Sequence, residues 1–420
     1  MDNGKKKTAL VLGGIGAHRE LLIRLKQRGY DTLLVDYFDN PPAKDAADVH
    51  IKESTLDKEK VLEIARKWNI SVILSGCVDQ VNATACYVSE KLGLYTPYSY
   101  ETALRINDKD CMKRVMQEQG VLTSQYYCIK SKEEILQKEL RYPVMVKPAN
   151  CNSANGVKKA ENKEQMLIYL EQSFAISRNG KAIIEEYVEG KEFSAYCYIH
   201  NGRAKLLMTS ERISIIEGEE KVIKCYGALI PARIPRELEK KAEDIAGKLA
   251  KAFGITNSLF FFQGIATKDD ISMIEFAPRI GGGVCFKTIP MNTGFDVMDA
   301  VIRCALGEQA DVSAWHPPIN VLAVNTVYAR DCVFDHVEGV DRLLAGHVIE
   351  DFIMYKTKGM HIDNRSASGG RIGAFIVKGA SEEEILESVH KAYDRLSVQS
   401  AEGEEVLRRD LNLYAMQGTY

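Results

Sequence analysis

The sequence predicts an α/β and α+β protein: a doubly wound parallel α/β domain first, then a long stretch richer in antiparallel strands, and finally an α+β region. Three observations carry this reading. The first hundred residues alternate short apolar runs with helical patterns. From Phe193 onward five strand-like segments follow one another with one amphipathic helix among them. A length of 420 residues also exceeds what one hydrophobic core organises.

Taken in order, residues 8–13 (TALVLG) form a buried strand, and 17–28 follow at helical spacing up to Gly29, a C-terminal stop. Residues 31–36 (DTLLVD) are a second strand, 58–68 a helix and 71–75 (SVILS) a third strand, a rhythm that requires parallel pairing. A helix over 108–119, capped by Asn107 and closed by Gly120, opens the next region. There the pattern gives a strand at 124–129, a helix after the Ser131/Glu134 capping box, a strand at 144–147, a polar loop, a helix and a strand at 182–186. Strands follow at 193–200, 204–211, 222–231, 259–267 and 271–276. The interposed helix carries Leu238, Ala242, Ile245, Leu249 and Phe253 on one face and ends at Gly254. Residues 315–318 (WHPP) read as a linker. Strands near 320–329, 347–355 and 371–378 and a helix from the Ser381/Glu384 box complete the chain.

The composition, 45% hydrophobic and 27% charged with a net charge of −3, is that of a globular protein without a basic field for nucleic acid. No run of eighteen apolar residues and no signal peptide is evident, so neither membrane spanning nor secretion is expected. The ten cysteines are scattered without a C-x-x-C pair, which points to reduced thiols in a cytoplasm.

Chemistry concentrates in a few segments. In 259–283 (LFFFQGIATKDDISMIEFAPRIGGG) two apolar strands flank a polar turn. A hairpin centred on Asp269 sets Gln263 opposite Glu275, with Cβ atoms about 4.5–5.5 Å apart, so an amide oxygen and a carboxylate could share one hard cation. Arg279 follows Glu275 by four residues; on an uninterrupted strand both would share a face about 13 Å apart. In 142–157 (YPVMVKPANCNSANGV) a buried strand delivers Lys147 beside a loop of small residues, Ser153 and Gly156 among them, whose N–H groups could face a phosphate. In 182–193 (AIIEEYVEGKEF) the backbone at Tyr187–Val188 could read an adenine edge and Glu192 could accept from ribose hydroxyls. Gly13, Gly14 and Gly16 after the first strand fit a dinucleotide fingerprint poorly, because Arg19 stands at the third glycine position. A tight βα turn is the better reading, with a helix N-terminus open to part of a substrate.

Together and in this order, Asp108-Lys109, VMVKP, EEYVEGKEF and Gln263 followed by IEFAPRIGGG resemble the ATP-grasp superfamily over almost the whole chain. The pattern is most similar to bacterial L-amino-acid ligases and to carbamoyl-phosphate synthetase large-subunit-like proteins. The resemblance implies an N-terminal domain over 1–106, an ATP-grasp domain over 107–310 with a lid at about 123–188, and a C-terminal α+β region over 311–420. It implies an ATP-dependent carboxylate–amine ligase using ATP and Mg²⁺, with Mn²⁺ as an alternative, on small-molecule carboxylate and amine substrates. Neither nucleic acid nor membrane would be a partner; a homodimer is allowed. By the same resemblance Lys109 and Lys147 contact ATP phosphates, while Glu185, Tyr187, Val188 and Glu192 hold adenosine. Gln263 and Glu275 bind the metal, Arg279 binds the acyl phosphate or carboxylate, and Arg371 after Gly370 holds anionic substrate. Many members carry Asn where this chain has Ala277, which leaves the number of metal ions open. The alternative, a nucleotide-binding regulatory protein of the same fold, is favoured by Ala277 and opposed by Lys147, Glu275 and Arg279. Substrate specificity is expected within 208–225 and 363–371.

Overall fold

This computed structural model describes residues 6–150, 156–218 and 222–413. The chain begins with β1 (Thr8–Leu12), α1 (Gly16–Gln27), β2 (Asp31–Asp36), β3 (Val49–Lys52), α2 (Lys58–Lys67), β4 (Ile70–Leu74) and α3 (Asp79–Leu92). The strands lie in the order β3-β2-β1-β4, all parallel. Alternation along β1 separates two cores. Leu10 and Leu12 pack with Val61 and Leu62 of α2 and with Val81 of α3. Ala9 and Val11 pack with Leu21 and Leu25 of α1, and with Phe286 and Ile289 from much later in the chain. Helices therefore cover both faces, as expected, and the second core ties this sheet to the rest of the molecule. Neither β3 nor α3 was legible, because α3 buries Thr84, Cys86 and Ser89 among its alanines and valines in place of an apolar stripe.

Next, α4 (Tyr100–Asn107) and α5 (Lys109–Glu118) meet end to end. The expected cap is corrected here: Asn107 closes α4, and the carboxylate of Asp108 caps α5 by accepting from the N–H groups of Asp110 and Cys111 at 3.0 Å. Asn and Asp cap equally well, so the sequence does not choose between them. A smaller antiparallel sheet follows, built from β5 (Tyr126–Ile129), the one-turn α6 (Glu133–Leu136), β6 (Val144–Pro148), β7 (Lys158–Ala160), α7 (Lys163–Ile176) and β8 (Ala182–Glu186). Its order is β5-β8-β6-β7, with Met166 and Leu170 of α7 packed on Val144, Val146 and Ile184. The first strand starts at Tyr126, later than expected, because Thr123 bridges to Met273.

The largest sheet is drawn from β9 (Lys191–His200), β10 (Arg203–Glu217), β11 (Val222–Ile230), α8 (Arg236–Ala252), β12 (Asn257–Ala266), β13 (Ile271–Ala277), α9 (Cys285–Thr293), α10 (Val297–Ala305) and β14 (Val321–Tyr328). The chain continues through β15 (Cys332–Glu338), α11 (Val340–Ala345), β16 (Asp351–Met354), β17 (His361–Ile362), β18 (Arg371–Gly379), α12 (Glu382–Arg395) and β19 (Ser397–Ser400), and β15, β17 and β19 form a separate small sheet in the order β17-β15-β19. Eight antiparallel strands run β13-β12-β9-β10-β11-β14-β18-β16. Pairing of β11 with β14 carries one sheet across residues 310–311. The apolar stripe of α8 lies against Phe260, Phe262 and Phe276 on one face. Ser381 caps α12 by accepting from Glu384 N–H. Among the described residues no helix is long and apolar enough to cross a membrane, and nine cysteines are unpaired thiols.

Candidate active site

Gln263 and Glu275 do lie opposite each other in the β12–β13 hairpin, but the register is not uniform. From the turn outward the pairs are Ala266 with Ile271 and Ile265 with Ser272; a bulge then shifts the ladder before Gln263 meets Glu275. The assumed turn centre was thus displaced, and the bulge restored the pair. The Gln263 amide lies between Glu275 and Arg212. Turned one way, its N–H donates to the Glu275 Oε1 at 3.1 Å and its oxygen accepts from Arg212. Turned the other way, two oxygens face each other across the same 3.1 Å. Neighbouring oxygens of an octahedral Mg²⁺ shell with bonds of about 2.0–2.1 Å are about 2.9 Å apart, so the second orientation has the spacing such a cation needs, although it sets the amide N–H groups against Arg212 and is the less favourable one without a cation. No group of three or more His, Cys, Asp or Glu side chains suited to a metal occurs among the described residues, and other oxygens would have to complete the shell. Ala277 is buried opposite Phe261 and offers no ligand.

Helix α5 faces this hairpin with two lysines one turn apart. The Lys109 ammonium meets Glu275 Oε2 at 2.5 Å. Attraction to Lys109 holds the Glu275 carboxyl down at about 2 against the effect of burial. Lys113 meets Glu185 Oε2 at 2.9 Å, and Lys147 from β6 meets Glu185 Oε1 at 2.5 Å. Burial would raise the Glu185 carboxyl, but two ammonium neighbours keep it well below the ordinary range. Burial and repulsion from Lys147 instead push the Lys113 ammonium down to about 8, above neutrality, so it still carries its proton at pH 7.

Arg279 does not continue the strand. β13 ends at Ala277, and the N–H of Arg279 turns back to the Ala277 carbonyl at 2.9 Å, so the expected shared face with Glu275 does not apply. Its guanidinium grips Asp79 of α3 with two bonds of 2.6 and 2.7 Å and donates a third to the Ile280 carbonyl at 2.7 Å. Burial opposes the charge, yet Asp79 raises the guanidinium above its usual range. Asp79, Lys109, Glu275 and Arg279 line one cleft of about 270 Å³ between α3, α4 and the hairpin, floored by Met112 and Phe261. The following Gly281 is required: a Cβ there would sit 2.6 Å from the Tyr196 ring.

The remaining expected residues divide. Tyr187 and Val188 lie just past β8, with Tyr187 exposed under the Lys159 ammonium, 4.3 Å from its ring. Glu192 is the second residue of β9 and sits 3.2 Å from the Nε of Arg212. Gly156 takes a left-handed φ of +73°, and a Cβ there would meet Ile176 at 2.4 Å. Ser153 lies outside the described residues. Arg371 stands apart: β18 is six strands from β13 in the sheet order, and Arg371 is not among the residues lining the cleft. Its Nε donates to the Tyr328 hydroxyl at 3.0 Å, and its charge partly offsets the burial that raises the nearby Tyr355 phenol. At the N-terminus, Gly13–Gly16 form the tight turn expected, and the N–H of Ile15 donates to His18 Nδ1 at 3.2 Å. The two segments expected to set specificity do touch, since Lys224 donates to Asn364 at 3.0 Å.

Sequence reading missed Asp79, Lys113 and Arg212. A lysine set within the apolar stripe Met112, Val115, Met116 was a usable signal for Lys113. Asp79 and Arg212 gave none, because only the fold brings α3 and β10 to the hairpin.

Residues 140–288 match the family model described as ATP-grasp domain, and residues 326–401 match L-amino acid ligase C-terminal domain 2. The formate-dependent phosphoribosylglycinamide formyltransferase of Ignicoccus hospitalis is 25% identical over 411 residues, covering 93% of this chain and 96% of that protein. The N5-carboxyaminoimidazole ribonucleotide synthase of Bacillus subtilis is 25% identical over 294 residues, covering 69% and 71%. Among solved structures, the L-amino acid ligase from Bacillus licheniformis matches with a TM-score of 0.77 at 16% identity, over 94% of this chain and 99% of that one, a likeness of fold.

Proposed function

We propose, starting from the premise that this chain is an ATP-dependent ligase carrying an ATP-grasp domain and an L-amino acid ligase C-terminal domain, that it activates a small carboxylate as an acyl phosphate and joins it to an amine of amino-acid type. The observation that carries this reading is the meeting in one cleft of Lys109, Glu275 and Arg279, with Gln263 beside Glu275. A carboxylate oxygen attacks the γ-phosphorus of ATP, its bond to ADP breaks, and an acyl phosphate forms. The amine nitrogen then attacks the acyl carbon, the C–N bond forms, and phosphate leaves with the displaced oxygen.

The chemical demand is to hold polyphosphate and carboxylate together while negative charge builds between them. In this reading Lys109 and Lys147 hold phosphate oxygens. The backbone at Tyr187–Val188 reads adenine, the N–H of Gly156 faces a phosphate, and Glu192 takes ribose hydroxyls. Arg279 has five N–H donors, of which Asp79 and Ile280 use three, and the others are available to the carboxylate or acyl phosphate. Gln263 and Glu275 would hold Mg²⁺, which when bound offsets phosphate charge. Arg371, beyond the cleft, is assigned to an anionic group of the second substrate. Fixed charges of this kind lower the barrier without reorganising.

The test is ADP release from Mg·ATP with paired amino acids and small carboxylic acids. The reading requires at least one pair for which ADP, phosphate and an amide product appear in equal amounts. ATP turnover that no carboxylate stimulates would contradict it.

A further inference from the structure

Lys113 is wholly buried, and the reaction as described does not use it. Its ammonium makes three contacts, to the hydroxyls of Thr123 at 2.7 Å and Ser124 at 3.1 Å and to Glu185 Oε2 at 2.9 Å. That is the full donor complement of a lysine. Ser124 also donates to Glu185 Oε2 at 3.0 Å, and Lys147 holds the other oxygen. One carboxylate thus sits between two ammonium groups, with side-chain exposures of 1% for Lys113, 7% for Lys147 and 11% for Glu185.

A buried charge of this kind is a poor device for stability alone, since apolar side chains of similar volume often replace such groups without loss. The neighbours Met112, Val115 and Met116 show that an apolar residue would suit this stripe. What Lys113 changes is the charge balance at Lys147. With Glu185 to itself, Lys147 would be neutralised by a full carboxylate. With Lys113 sharing that carboxylate, the trio keeps a net positive charge, and Lys147 has donors left for another anion.

We infer that Lys113 and Glu185 form a buried positioning relay that fixes Lys147 and keeps its charge available to the nucleotide phosphates; this rests on the reading of Lys147 as a phosphate contact. Glu185 then acts through Lys147, and adenosine is recognised without its carboxylate. Lys109, four residues before Lys113 on the same helix, answers to Glu275 on the other sheet, so α5 supplies one lysine to each of the two sheets.

The experiment is a double-mutant cycle on the full chain, read by calorimetric titration of ATP and of adenosine. K113M should weaken ATP binding about tenfold and leave adenosine within about twofold, and K113R should recover most of the loss. K147A should also weaken ATP alone, and K113M combined with K147A should bind ATP no more weakly than K147A, because one residue acts through the other. If K147A leaves ATP affinity unchanged, the phosphate role of Lys147 fails and the relay with it. If K147A weakens ATP while K113M does not, or if the two losses multiply, the relay alone is overturned. Should K113M not fold, E185Q, which removes the carboxylate charge that both lysines share, takes its place in the same cycle with the same reading of additivity.

Discussion

Replacing Arg279 by lysine tests the geometry of the cleft most sharply. The guanidinium makes two contacts to Asp79 and one to Ile280, at 2.6–2.7 Å, with only 12% of the side chain exposed. A lysine keeps the charge, but its three donors radiate from one nitrogen, so it cannot reproduce the planar two-bond grip on Asp79 and also grip a substrate carboxylate with two parallel bonds. Each charge-assisted bond lost is worth about 1.5–3 kcal/mol when its partner stays dry, and Asp79, 24% exposed, recovers part of that from water. R279K should therefore destabilise the fold by only about 1–2 kcal/mol. Turnover should fall at least about tenfold, equivalent to about 1.4 kcal/mol of transition-state stabilisation. Steady-state ADP release at varied carboxylate measures the loss, and calorimetry should find ATP affinity within about threefold of wild type. An unchanged kcat/KM for the carboxylate would refute the assignment, and an equal loss in ATP affinity would move Arg279 to the nucleotide.

Two further predictions follow from the same geometry. E275Q removes the one carboxylate of the hairpin pair and strands Lys109, so turnover should fall at least about a hundredfold while the far-ultraviolet spectrum is kept, and added EDTA should bring wild type to the same level; near-normal turnover in E275Q would reject the hairpin as the metal site. His18 is buried, and burial lowers its imidazole from 6.5 to about 4, so the folded state takes up its proton later than the unfolded one. Stability is therefore complete above pH 6.5 and falls as pH drops toward 4, with about 2 kcal/mol lost between pH 7 and 5. H18Q should lose correspondingly less over that interval in urea unfolding, and parallel losses would remove His18 as the cause.

Three of the four parallel strands were legible as short apolar runs with a glycine or an acid at or just past their ends, whereas β3 was not, and α8 was legible because its stripe repeats at 3.6. The element boundaries at 107–108 were not, since Asn107 and Asp108 are both good caps and only the end-to-end meeting of α4 and α5 decides between them. The Gln263–Glu275 pair was found from a hairpin centred on Asp269; the actual turn is centred half a residue earlier and would by itself set Gln263 opposite Ile274, and the bulge between Gln263 and Gly264 restores the pair. Glu185 could be located at a strand end, but its two lysines come from α5 and β6, and no spacing in the sequence joins 113 and 147 to 185. Arg279 was found by motif, whereas its partner Asp79 is 200 residues away in α3. Side chains that meet across sheets and domains are set by packing, which a local pattern does not encode.

The central claim is that a carboxylate is activated by phosphoryl transfer before the amine attacks. Carboxylic acids and amino acids labelled with ¹⁸O in both carboxylate oxygens, supplied with Mg·ATP and an amine, test it through mass analysis of the phosphate released. The account predicts one ¹⁸O in each phosphate formed, ADP in equal amount, and loss of both in E275Q. Unlabelled phosphate beside a ligated product, or AMP with pyrophosphate in place of ADP, would contradict it.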